Sequence, residues 1–204
     1  MMDIEMAKNY ISGKKKINKP TRTRVSIHYE DDYRVKEAMK QAEMNPTNKE
    51  DVIRFTNEFL QLMGIKSVDN PEVKYPNAKL AYPDFYQKIQ KDYELKDTRD
   101  IIWMKFTRDG YLGVVAVSND INFDIPTAFY QYNYKFKGRE DGWIYNTSGI
   151  IVHMLGKVWD ESFVLVFPLC NKPDSFKRGD IERGVGNFLI DKGVPILDYY
   201  GHTF

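Results

Sequence analysis

The strongest constraint on the fold is a pair of apolar runs, Ile101–Phe106 and Tyr111–Val117, separated by Arg108-Asp109-Gly110. Two short runs rich in β-branched and aromatic residues, joined by a turn ending in glycine, read as a β-hairpin. The same texture continues downstream. Ala128–Phe136 alternates aromatic and polar residues, Glu140-Asp141-Gly142 marks a turn, and Ile144–Leu155 and Ser162–Leu169 read as further strands. A helix is expected from Gly179 or Asp180 to Asp191 with Gly193 ending it, and Val194–Tyr199 reads as a last strand. Aromatic residues make up 14% of the chain and hydrophobic ones 42%, so these strands have the material to close a core. Consecutive strands with helices towards the ends indicate an α+β fold, built on a mostly antiparallel sheet with flanking helices.

The N-terminal third is organised differently. Between Lys8 and Arg24 stand Lys8, Lys14, Lys15, Lys16, Lys19, Arg22 and Arg24 with no acid, in a chain whose net charge is only +1. A segment of one sign beside a mildly acidic body suits a polyanion partner. Residues 1–20 read as a basic flexible arm. Thr21–Tyr29 alternates, with Val25, Ile27 and Tyr29 on one face and Arg24, Ser26 and His28 on the other, the period of a short strand. Residues 31–44 carry a helical stripe of Tyr33, Val35, Ala38, Met39 and Ala42, closed by Asn45-Pro46. A second helix is expected from Thr47, with Thr47-Asn48-Lys49-Glu50 as a capping box. Val52, Ile53, Phe55, Thr56, Phe59, Leu60 and Met63 would line its inner side, and Gly64 would stop it. Residues 66–80, with two prolines and two asparagines, read as a linker, and a helix is expected from Pro83 to about Tyr93. The organisation expected is an arm (1–20), a strand–helix–helix unit (21–65), a linker (66–80) and an α+β domain (81–204).

The strand–helix–helix order of residues 22–64, carried by Arg24-Val25-Ser26-Ile27-His28-Tyr29 and the two helices, resembles the ribbon-helix-helix DNA-binding family. The resemblance implies that two chains pair their strands into a ribbon lying in the major groove, with the second helices forming the dimer core. By position it implies base contacts from Arg24, Ser26 and His28, helped by Arg22, and phosphate contacts from the backbone N–H groups of Thr47 and Asn48. The physical chemistry is coherent on its own terms. A two-stranded ribbon fits the major groove and an arginine fork matches a guanine edge. A helix N-terminus presents free N–H donors to phosphate, and Lys14, Lys15 and Lys16 would add affinity by counterion release. The alternative is that strand 24–29 joins the main sheet and both helices pack on it.

Other chemistry is sparsely marked. His28, His153 and His202 show no metal-ligand spacing. His153, among Ile150-Ile151-Val152 and Met154-Leu155, reads as a structural histidine on a strand. Neither phosphate-loop nor dinucleotide glycine pattern is present, and no cofactor or metal is expected. Gly184-Val185-Gly186 inside a helix signals close backbone packing. Asp198 and His202, with Glu182, are the acid–base candidates for a metal-dependent nuclease. Phe129-Tyr130-Gln131-Tyr132-Asn133-Tyr134 would offer an aromatic face to a protein partner of a host-interaction or inhibitor protein. Cys170 is the only cysteine and reads as a small core residue at a strand end. A single cysteine, no signal-peptide core in residues 1–19 and no membrane-length apolar run lead to a cytoplasmic expectation. The reading that joins these features is a homodimeric DNA-binding regulatory or mobile-element (phage or plasmid) protein with a C-terminal sensing or partner-binding domain.

Overall fold

A computed structural model describes residues 3–13, 46–74, 84–97, 99–117, 160, 162–196 and 198–199. The expected hairpin is its centre. Strands β2 (Ile101–Phe106) and β3 (Leu112–Val117) pair antiparallel, with Trp103 opposite Ala116 and Met104 opposite Val115. The Thr107 N–H donates to Tyr111 O, and Gly110 takes φ +84°, a conformation open to glycine at little cost. Strand β4 (Phe163–Pro168) lies along the other side of β2, antiparallel to it, with Trp103 opposite Val166.

Two expectations about the sheet are corrected. The proline-rich stretch 66–80 is not simply a linker, because Glu72–Lys74 forms strand β1, antiparallel to β4 at the edge of the sheet. Proline is compatible with this position, since an edge strand needs hydrogen bonds on one side only. At the far edge, β5 (Asp198–Tyr199) is shorter than the expected 194–199 strand and runs parallel to β3. Among the described residues the order β1-β4-β2-β3-β5 is thus an antiparallel four-strand sheet extended by one parallel pair. The strands expected at 128–136 and 144–155 lie outside the described residues.

One face of the sheet carries Ile102, Met104, Phe106, Val115, Leu165 and Phe167 into the core. Helix α4 (Arg178–Asp191) packs on this face, close to its expected bounds. Its residues from Ile181 to Ile190 are buried except for the half-buried Arg183. A helix apolar on nearly all sides requires cover on nearly all sides. The remaining cover comes from α2 (Lys49–Leu62) and α1 (Ile4–Ser12). A further helix, α3 (Asp84–Asp92), appears where the proline-led pattern placed it.

Helix α1 corrects the expectation of a flexible arm. Asp3 caps it, its carboxylate accepting from the Met6 N–H at 3.1 Å, and Ala7, Tyr10 and Ile11 are buried. The stripe was present in the sequence, but nine residues are too few to hold a helix without tertiary packing. Helix α2 begins one residue later than the expected box. Asn48, not Thr47, is the cap, accepting from the Glu50 N–H at 2.9 Å. Its inner side buries Val52, Thr56, Phe59, Leu60 and Met63 within this chain's own core, together with the sheet. Asn57 sits on this helix for a reason of its own. Its Nδ2 donates to Val68 O and its Oδ1 accepts from the Val68 N–H, both at 2.9 Å, so it fixes the chain leaving the helix towards β1. Asn57→Ala leaves both Val68 groups without this partner. A loss of about 1–3 kcal/mol is expected, measured by urea denaturation, with faster hydrogen exchange at the Val68 amide.

Candidate functional site

The described residues on either side of the cationic segment, up to Gly13 and from Pro46, are both held by the core. At the first, Gly13 takes the left-handed conformation (φ +69°) that ends α1. The carbonyls of the last turn of α1 are then caught by α4. Buried Asn187 donates through Nδ2 to Tyr10 O at 2.7 Å, and Arg183 donates through Nη1 to Ile11 O at 3.2 Å. The Tyr10 hydroxyl donates to Asp191 at 2.7 Å, and its ring meets Phe188 edge-on with centroids 5.0 Å apart. Sequence reasoning missed this anchor. The spacing Ala7, Tyr10, Ile11 after an aspartate cap was its only local signal.

At the second end the start of α2 is held by the β2–β3 hairpin and by its own cap. The Thr47 N–H donates to Gly110 O at 3.0 Å, and the Asn48 side chain holds the Glu50 N–H. Glu50 and Asp51 place two acids in the first turn of α2. These groups already satisfy part of the helix N-terminus, and the two acids offset its attraction for an anion. The inner face of α2 is packed into this chain's own core. Lys14, Lys15, Lys16, Arg22, Arg24, Ser26 and His28 lie outside the described residues, as do Phe129–Tyr134, His153 and His202.

Of the acid–base candidates, Glu182 and Asp198 are described and His202 is not. Glu182 is buried, 6% exposed, inside α4. Asp198 belongs to β5, its backbone opposite Val114. Among the described residues no three His, Cys, Asp or Glu side chains stand close enough to hold a metal ion. Asp97, Asp100, Arg99 and Arg178 do gather, with Arg178 Nη1 3.3 Å from Asp100 and 3.6 Å from Asp97. Hydrogen bonds from the Arg99 side chain hold the Asp97 carboxyl below its usual range, against the opposing effect of burial. This cluster ties the first turn of α4 to the start of β2, and every charge in it has an opposite neighbour. Cys170 is buried as expected, and burial pushes its thiol pKa up, away from the reactive thiolate.

The remaining feature is a groove of about 550 Å³ on the sheet face opposite α4. Pro71, Val73, Val166 and Pro168 form its floor, and α3 forms its wall with Ile89 and Tyr93, flanked by Lys88 and Asp92. The separation of β1 from α3 in sequence concealed it. Among the described residues no helix is long and apolar enough to cross a membrane. No protein-family model matches the chain, and comparison with curated proteins and with solved structures likewise returned no match.

Proposed function

We propose that the chain is a DNA-binding protein of the regulatory or mobile-element type, in which the segment from Lys14 to Arg24 meets the DNA and the α+β body carries it. The observation that supports this reading is the distribution of charge. Six cations and no acid stand between Lys14 and Arg24, in a chain of net charge +1. Cations at such density displace the counterions condensed on a duplex, a gain in affinity that does not depend on sequence. The α1 anchor adds to this, because a tethered cationic segment loses less freedom on binding than a free tail would.

Specific contacts follow from the alternation of residues 24–29. Two copies pairing there would form a ribbon with Arg24, Ser26 and His28 on its polar face, and the homodimer belongs to this reading. With α2 engaged in its own core, the strand alone would carry that pairing.

The test uses the full chain, labelled duplexes and two salt concentrations. If about six phosphates are contacted, affinity should fall about 10³-fold between 50 and 200 mM salt. The triple variant Lys14→Glu, Lys15→Glu, Lys16→Glu should bind all duplexes less tightly and show a shallower salt dependence. Arg24→Ala should lose about 1–3 kcal/mol on the preferred site alone. Unchanged affinity in both variants would remove the proposal.

A further inference from the structure

The groove between β1 and α3 has a rim of peptide backbone, and that decides what fits it. The Val166 N–H donates to Pro71 O at 2.8 Å, so residues 71 and 166 form a hydrogen-bonded pair. In an antiparallel ladder such pairs alternate, so Val73 also turns its backbone groups to β4. Glu72 and Lys74 therefore turn theirs outward. Their side chains lie on the other face of the sheet, where Glu72 meets Lys49 of α2 at 2.6 Å. What Glu72 and Lys74 offer to the groove is main-chain N–H and C=O. Among the described residues no strand pairs with that side of β1.

We propose that this groove binds an extended peptide segment of a partner protein, added to the sheet as a strand beside β1. The mode is β-augmentation, in which backbone hydrogen bonds supply affinity and alternate side chains supply selectivity. A strand laid here directs every second side chain onto the floor of Pro71, Val73, Val166 and Pro168. The adjacent wall carries Lys88 and Asp92, which have no ion-pair partner among the described residues. They stand four residues apart on α3, about 5–6 Å between Cβ atoms. Groove-facing residues i and i+2 of a strand are about 6.6–6.8 Å apart. An acidic and a basic residue at that spacing complement the pair, with the carboxylate towards Lys88. The partner is thus a β-prone segment, apolar and mixed in charge on one side. This inference stands independently of DNA binding.

The test is a library of labelled eight-residue peptides, threonine at alternate positions and random residues between, titrated against the full chain. Selection should favour apolar residues with one acid and one base two positions apart. Methylating the outward amides of the best peptide should weaken it at least about tenfold, because each lost hydrogen bond to the edge costs of that order. Lys74→Pro removes an N–H that points away from β4, together with an exposed ammonium 3.8 Å from Glu72, a substitution edge strands tolerate. It should weaken binding at least about tenfold while leaving thermal unfolding unchanged. Lys88→Glu should exchange the selected acid for a base. The proposal is overturned if no peptide binds tighter than about 1 mM, or if Lys74→Pro binds as the wild type does. A dimer that Lys74→Pro dissociates would assign the edge to a second copy and equally overturn it.

Discussion

Phe59→Ala should lower the free energy of unfolding by about 3–5 kcal/mol. Phe59 has no exposed surface. Its ring lies where three helices meet, edge-on to Tyr10 of α1 at 6.3 Å and tilted against Phe188 of α4 at 5.7 Å. Truncation leaves a cavity whose walls are the backbone of α4 and two other rings, which cannot all move in to fill it. A domain of this kind is stable by about 5–15 kcal/mol, so such a loss is a large part of the whole. Urea denaturation measures it, and an unchanged dependence on denaturant would show that the unfolded state was not altered. Because Tyr10 loses a neighbour, α1 should loosen first. Hydrogen exchange within residues 4–12 should rise more than exchange in β2. A loss below about 1.5 kcal/mol would contradict the packing described at this junction.

The second large effect comes from adding atoms at the same place. A Cβ at Gly184 would lie 2.2 Å from Phe59 Cζ, 2.8 Å from Phe59 Cε1 and 2.9 Å from Ile11 Cγ1. Alanine is the better helix former by about 1 kcal/mol, so propensity alone would make Gly184→Ala stabilising. The steric conflict decides against it. The Phe59 ring is enclosed by Tyr10 and Phe188, and relieving the contact displaces α1 or α2 from α4. A net destabilisation of about 1–3 kcal/mol is expected. Gly179 is the control. It belongs to the same helix and a Cβ there meets nothing within 4 Å, so Gly179→Ala should be neutral or stabilising by up to about 1 kcal/mol. Combining Gly184→Ala with Phe59→Leu should recover part of the loss, since the smaller side chain leaves room. A coupling of about 0.5–3 kcal/mol is expected for two side chains in contact. Additive effects would mean that α2 and α4 do not approach here.

The comparison of these two glycines shows how much was legible beforehand. Gly184-Val185-Gly186 in a helical stretch signals that something approaches closely, but not what. Phe59 and Ile11 are far from it along the chain, and no local pattern names them. Asn57 makes the same point with polarity reversed. In sequence it interrupts an apolar helix face, and only the position of Val68 turns it into a satisfied bridge. Thr47 and Asn48 were legible as a helix start. Which of them capped it, and that the Thr47 N–H was already bonded to Gly110 O, depended on where the β2–β3 hairpin lay.

Local patterns by themselves determined the described hairpin, strand β4, helices α2, α3 and α4, and the α+β class, because periodicity and turn chemistry act over a few residues. They also determined the uneven charge on which the proposed DNA binding rests, which is a property of composition along the chain. Only the tertiary structure decided that the first helix is seated rather than free, since nine residues need the carbonyl contacts of Asn187 and Arg183 and the aromatic packing of α4 to stay folded. Only it decided that a proline-flanked stretch closes the sheet as an edge, and that this edge faces α3 across a groove. Strand order and the meeting of distant side chains arise from burying one shared core, a constraint that no short window of sequence contains.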